Sequence, residues 1–417
     1  MAIHSVISSP LWRNRNFAAL WVGQTISMVG TRVNLFVVPT LAIIVLHATP
    51  TEVGVLNTVA TAPYIVVPLI AGVAADRLPR RRIMIACDLA RAVLVGAITL
   101  LFVLHALSLP ALYVLVVLAA CGSIFFDVSY RAFLPDLVAQ DQLADGNAKL
   151  QLSTSGSVVF GPSIAGVLVQ AFGAAQSLLL DAVSYVASAI SLWTLPSPPP
   201  AATGERTARS ALRDIGAGIQ VVWRTPALRL ITVVTALINL GNQMVLAIVL
   251  LFAYRDLRLN PAQVGLAVGI GSVGFVLGAL AAPWLIARLG FTGSLLVCSL
   301  GFVAGFGAIP AGLLFAGPVI LAAGYFVFYF AFPIYNTNVI TLIQSRSPSA
   351  ALGRVMATVT WVTWSTLSVG AILGGTLGDA IGLAPVILLG AAIMGVGALG
   401  IVLQRGLEPE AGSGAAA

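Results

Sequence analysis

The sequence predicts an all-α membrane protein with twelve transmembrane helices in two pseudo-symmetric six-helix bundles. Three observations lead there. Hydrophobic residues make up 59% of the 417, and mean hydropathy is +1.02, outside the range of soluble globular chains. Apolar runs of the roughly 20 residues needed to cross a bilayer recur twelve times between polar or Pro/Gly breaks. Segments of the first half also reappear in the second at an offset of about 210 residues, a parallel repeat.

The spans follow in order. Span one (17–46) begins after "MAIHSVISSPLWRNRN", which has no apolar core before its arginines and is not a cleaved signal peptide. Span two (52–75) runs into the charged loop "DRLPRRR", and span three (82–105) leaves it. Spans four (110–134), five (143–171) and six (175–195) follow, the last ending in a Pro-rich break. The connection "PSPPPAATGERTARSALRDIGAGIQVVWRTP" then divides the chain, and its end is weakly amphipathic. Spans seven (227–254), eight (261–287), nine (292–315), ten (317–343), eleven (351–379) and twelve (383–404) complete the set. The expected organisation is a first bundle at 1–195, a cytoplasmic linker at 196–226, a second bundle at 227–405 and a tail at 406–417.

Two alignments carry the repeat. "TPTEVGVLNTV" and "NPAQVGLAVGI" open spans two and eight; "AGVLVQAFG" and "GGTLGDAIG" close spans five and eleven. Charge sets the orientation. With a cytoplasmic N-terminus, Arg255 and Arg258 fall outside and Arg32 and Arg91 within spans. The other 17 of the 21 basic residues lie in or beside cytoplasmic segments. Both termini are therefore expected inside, in a multi-pass protein of a bacterial inner membrane. Spreading the arginines over many short loops argues against nucleic acid as a partner, despite a pI near 9.8.

Enzyme signatures are missing. "GIGSVG" and "GVGALG" lie inside spans with no preceding strand, so they read as helix packing and not as dinucleotide sites. No HExxH, GxSxG or P-loop occurs, the three histidines never cluster, and Cys87, Cys121 and Cys298 are far apart within apolar runs. No enzyme activity, metal or cofactor is expected.

Over nearly its whole length the chain resembles the major facilitator superfamily. "GVAADRLPRRR" is similar to the loop 2–3 signature of that family. Gly72, Asp76, Arg77, Arg80 and Arg81 fall on its positions, while Pro79 stands where the family has its second glycine. "GSVVFGPSIAG", with Gly161 and Pro162, is similar to the span-five signature of proton-coupled exporters, with Ala165 in place of one glycine. "LWVGQTISMVG", "DLARAVL", "FFDVSYRAFLPDLV" and "LLLDAVSYVASAISL" look like the macrolide-efflux and siderophore-export subgroup, but Thr31 follows Gly30 where that subgroup often has an acid. The resemblance implies that Asp76 latches the cytoplasmic side by accepting the free amides at the start of span eleven, with Arg354 as a charge partner.

Charges within spans each need a partner or a purpose, since one at mid-bilayer costs at least about 2.5–3.5 kcal/mol. Helical rise puts Arg32 near the midpoint of span one and Asp181 about 6 Å above the midpoint of span six, within reach of a long arginine side chain, so an Arg32–Asp181 ion pair is expected. Asp88, Arg91, Asp127 and Arg131 alternate acid and base at helical spacing on spans three and four. They form either a static network or a proton-coupling one; the resemblance, which implies that span four lines the cavity and spans three and six are peripheral, makes Asp127 the leading candidate for protonation.

Gln24, Ser27, Thr31 and Asn34 share one face of span one, which must meet a neighbouring helix or water. Span seven carries Asn239, Asn242 and Gln243 at matching depth, so Arg32 and these groups are candidates for a shared central cavity. Tyr335 and Asn336 on aromatic-rich span ten, with Trp361 on span eleven, suit a mostly apolar pocket with sparse polar groups. The expected function is a secondary transporter, acting as a proton-coupled exporter (antiporter) of small amphipathic organic compounds or drugs. Its expected partners are protons and the lipid bilayer, and the protein is expected as a monomer. Siderophore or metabolite export and uptake by symport are alternatives on the same fold. A non-transporting membrane assembly or sensing protein is the alternative from another class.

Overall fold

Asn14 starts span one: its side chain accepts the amides of Asn16 and Phe17 at 3.0 and 3.2 Å, the usual satisfaction of a helix N-terminus. A computed structural model describes residues 10–196, 208–348 and 351–403. The tail 406–417 and the Pro-rich opening of the linker lie outside these residues.

The spans fall on helices Arg15–Ile44, Pro50–Thr61 continued by Pro63–Arg77, Arg80–Val103, Leu109–Leu137, Leu143–Phe172 and Ala174–Trp193. After the amphipathic helix Ala208–Arg224 come Pro226–Arg255, Pro261–Gly307, Gly317–Arg346, Leu352–Ile381 and Leu383–Leu403. Eleven of the described helices are long and apolar enough to cross a membrane, against twelve spans expected. The difference is one break. Pro261–Gly307 holds 47 residues, roughly 70 Å of helix, and Gly290 interrupts it at φ +70°. A residue with a Cβ is strained there, and Gly290 separates spans eight and nine.

Large apolar side chains are exposed along the helices, among them Val93 at 71%, Leu280 at 74% and Leu300 at 63%. Hydrocarbon is the solvent that suits such a surface.

The described chain divides into two compact units. Of the described residues, the first comprises 10–48, 59–196, 208 and 260–269, so the start of span eight belongs to it; the second comprises 49–58, 209–259, 270–348 and 351–403, so the start of span two belongs to that one. Within the first, span one packs on spans five and six, and span three on spans four and six. Within the second, span seven packs on spans eleven and twelve. The arrangement of span one is thus repeated by span seven.

Details of the repeat are also paired. Gly173 and Gly382 begin spans six and twelve with φ of 87° and 88°. His47 and Arg258 both take positive φ, at 52° and 53°, just before spans two and eight. A reciprocal cap follows each. Glu52 accepts the amide of Thr49 at 2.7 Å, Gln263 accepts that of Asn260 at 3.0 Å, and each cap residue accepts the amide three positions on.

Candidate functional site

Arg91, on span three, is the hub of the first unit. Its stem runs past Gly122, where a Cβ would stand 3.2 Å from Arg91 Cγ. The guanidinium lies 4.5 Å from the centroid of the Phe126 ring and 4.2 Å from that of Tyr185. It donates from Nη2 to Asp88 Oδ1 and from Nη1 to Ser123 Oγ at 3.4 Å. Both Arg91 and Asp88 are buried. The charges of Asp127 and Asp181 act on it as well.

Asp181 is fully buried on span six. Ser184 Oγ lies 3.3 Å from its Oδ1, and Asn34 and Tyr185 converge on the same carboxylate. Its Oδ2 has no hydrogen bond of good geometry. Among the described residues the ion pairs are Arg80–Asp136, Arg91–Asp88 and Lys149–Asp145. The expected Arg32–Asp181 pair is therefore absent. Depth along the helices placed the two side by side, but direction around span one parts them: Arg32 lies over Gly161 of span five, where its own Cβ fills the place a side chain would take.

Asp127, on span four, has a different setting. It is exposed, lies ten residues (roughly 15 Å) from the end of its helix at Leu137, and has no hydrogen bond or ion pair among the described residues. Arg91 and Arg131 are the charges that act on it. Arg131, one turn further on, is also exposed, and the expected Asp127–Arg131 pairing is a field effect and not a direct contact. Tyr64 of span two stands in the field of Asp127, Arg91 and Arg131. An exposed carboxylate on a spanning helix must meet water.

Span one's polar face meets span six. Gln24 Nε2 donates to Ser188 Oγ at 2.9 Å, and Ser188 also lies against Asp88. Thr31 Oγ1 and Tyr185 Oη are 3.3 Å apart. Gln24 and Ser27, expected on a cavity wall, are buried within the first unit, where span six sets Ser184, Ser188 and Ser191 against Gly30, Gln24 and Gly23. The stripe thus ties span one to the Arg91 cluster.

The second unit buries three more of the residues expected along a cavity. Tyr335 is buried, shares a 2.9 Å hydrogen bond with Thr235 and meets the Phe302 ring edge-on, beside the stacked pair Phe306 and Phe328. Asn242 and Gln243 are buried too, Gln243 Cβ standing 3.1 Å from where a Cβ at Gly370 would be. That contact repeats Arg32 over Gly161. Asn239, Asn336 and Trp361 keep partial or full exposure.

The loop 2–3 arginines hold helix ends. Arg80 donates to Ala132 O at 2.9 Å and pairs with Asp136 at 2.7 Å. Arg81 donates to Leu192 O at 2.9 Å and Trp193 O at 2.5 Å, satisfying carbonyls at the end of span six. Replacing Arg81 with Gln is expected to destabilise the folded protein by about 1 kcal/mol, read by melting in detergent, because those carbonyls lose a cationic donor. Gly72 has open space around it, Asp76 is half-buried, and Arg77 and Arg354 are exposed.

Two seams lie at the other end of the helices, each within one unit. A Cβ at Gly54 would meet Ala371 O at 2.7 Å and Gly375 Cα at 2.9 Å. A Cβ at Gly265 would meet Gly166 Cα at 2.6 Å, next to Pro162 O. The repeat relates these seams, span two on eleven and span eight on five. The sequence carried the signal, since Gly54 and Gly265, like Gly166 and Gly375, sit at matching places in the aligned segments. Tyr64, Tyr185 and Ser123 carried no such signal.

Similarities to known proteins agree with this architecture. Residues 20–369 match the sequence profile of the Major Facilitator Superfamily. The chain is 27% identical over 402 residues to the multidrug efflux pump Tap of Mycolicibacterium fortuitum, covering 93% of this chain and 94% of Tap. It is 27% identical over 405 residues to the enterobactin exporter EntS of Escherichia coli, covering 93% and 90%. Its fold matches the crystal structure of a bacterial homologue of the iron transporter ferroportin with TM-score 0.76 and 19% identity, over 95% of this chain and all of the other. Twelve crossings, paired caps and paired glycine seams thus accompany a profile match across most of the sequence: the protein is a multi-pass membrane transporter, not an enzyme, and belongs to the Major Facilitator Superfamily.

Proposed function

We propose that this transporter is a proton-coupled exporter of small amphipathic organic compounds, working by alternating access. One observation carries the proton coupling: Asp127 is an exposed carboxylate deep in a spanning helix, without a bonded partner, beside a buried arginine. A carboxylate so placed can take up and release a proton without breaking a salt bridge of its own. Arg91 transmits the change of charge to Asp88 and Asp181, and through Ser188 and Tyr185 to the polar face of span one.

The likeness to Tap and EntS, at 27% identity each, supports export of organic molecules. In this reading the halves 1–195 and 227–405 alternate about a central cavity. Arg32, Asn34, Asn239, Asn336 and Trp361 are its candidate contacts. Asp76 and Arg354 close the cytoplasmic side, which also holds both termini, and the monomer works in a bacterial inner membrane.

Replacing Asp127 with Asn tests the coupling. In proteoliposomes, efflux driven by a pH gradient is expected to fall by at least about a hundredfold, the lower end of what one positioned acid or base contributes. Counterflow exchange of the same dye without a gradient is expected to continue. Gradient-driven efflux that survives the substitution would remove Asp127 from the mechanism.

A siderophore-like cargo has one observation in its favour. Arg131 is exposed one turn from Asp127 and makes no ion pair among the described residues, a position fit to hold an anionic group. An anionic cargo should then lose transport in Arg131→Gln, whereas a cationic dye should not.

A further inference from the structure

The two glycine seams are related by the repeat, but their polar contacts are not. At the start of span two, Pro50 has no amide hydrogen and Glu52 donates its amide to Thr49 Oγ1 at 3.2 Å. The Thr51 amide, between them, leaves its own helix: it donates to Asp379 Oδ2 at 2.9 Å, and the Thr51 hydroxyl donates to the same oxygen. Asp379 sits near the end of span eleven, one turn beyond Gly375. The only other acid in these contacts is Glu52, which is occupied by the Thr49 amide. At the matching corner, Ala262 replaces Thr51 and has no hydroxyl, and Gln170 replaces Asp379. Among the described residues, no side-chain or backbone hydrogen bond joins Gln170 to Ala262.

We propose that Asp379 and Thr51 form a clasp on the seam of spans two and eleven, and that this clasp sets how much of the transporter stays closed at that end. The seam of spans eight and five has no carboxylate in that place: its polar contact is the Ser163 hydroxyl on Gly265 O at 3.5 Å, as Thr58 on Ser368 O at 3.1 Å is a second one for spans two and eleven. The chemistry fits a reversible contact. A carboxylate on the first-turn amide of a helix gains from the local positive potential. Its exposure lets water replace it when the seam parts, so opening leaves no buried orphan. Asp379 is a positioning residue, since it acts through span two and touches no substrate.

The proposal rests on the alternating-access reading, and its test separates the two. Asn57, half-buried on span two beyond Gly54, becomes a cysteine reporter in a chain with Cys87, Cys121 and Cys298 replaced by Ala or Ser. A membrane-impermeant maleimide added outside whole cells reports opening at this end. Labelling is expected to be about tenfold faster with Asp379→Ala and with Thr51→Val, the size of one charge-assisted hydrogen bond. It should stay near the starting rate with Asp379→Glu and with the mirror control Gln170→Ala, at equal protein levels and melting temperatures. Unchanged labelling in Asp379→Ala and Thr51→Val would overturn the clasp, and so would an equal rise in Gln170→Ala. A labelling rate that responds to substrate but ignores Asp379 would leave alternating access standing and remove the clasp alone.

Discussion

Tryptophan in place of Gly54 or Gly265 is expected to stop transport while leaving the helices folded and inserted. At each position the first atom of any side chain already collides with backbone: Ala371 O and Gly375 Cα for Gly54, Gly166 Cα and Pro162 O for Gly265. Backbone on a packed helix does not yield as the tip of a flexible side chain does, so the seam must part. Overpacking costs about 1–3 kcal/mol, and 1.4 kcal/mol is a factor of ten, so each substitution shifts the closed-to-open balance at this end about 5- to 150-fold. The effects should compound in the double variant, because the seams lie in separate units and share no residue. Initial rates of dye efflux measure the loss, with surface labelling of an outer residue confirming insertion. Gly72→Ala and Gly156→Ala serve as controls. Nothing lies within 4 Å of a Cβ at either position, and transport should change less than about twofold. Efflux preserved in both tryptophan variants would mean that the seams need not close during the cycle.

Gly72 and Gly156 also mark a limit of reading motifs. Both fall on family signatures, yet neither lies where another chain segment approaches, whereas Gly54 and Gly265 belong to no quoted signature and do. What exposed the second pair was the internal repeat, which preserves close approaches twice over. Most of the architecture was legible for a related reason. In hydrocarbon every backbone group must be satisfied within its own helix, so hydropathy and Pro/Gly breaks fix the spans almost without tertiary information. Gly290 is the plain case: the sequence separates spans eight and nine there, and the backbone turns at the same place.

The site was less legible because a sequence encodes depth better than direction. Rise per residue put Asp181 within side-chain reach of Arg32, and it put Gln24 and Ser27 on one face. It could not say that this face meets a row of serines on span six more than 150 residues later, since a polar stripe has the same spacing whether it meets water or another stripe. Asp88 and Arg91 were legible because a three-residue separation on one helix fixes direction as well as depth.

Arg91→Met carries the largest expected loss of stability. The side chain is close to the arginine stem in volume and keeps the packing between Phe126 and Tyr185, but it leaves Asp88 buried without its cation. Removing one partner of a buried pair costs about 3–5 kcal/mol, because the remaining charge keeps its desolvation penalty and loses its compensation. Beyond Arg91, Asp88 keeps only the Ser188 hydroxyl, since its Oδ2 makes no hydrogen bond of good geometry even with Arg91 in place. Low yield and a depressed melting temperature in detergent are therefore expected. Adding Asp88→Asn removes the orphaned charge, and most of the lost stability should return. Transport should not return with it, because Arg91 is also the cation that acts on Asp127 and Asp181. A static pair that merely holds spans three, four and six together predicts the opposite, with efflux restored alongside the fold. The double variant, measured for melting and for gradient-driven efflux in the same preparation, decides whether this cluster is scaffold or part of the transport cycle.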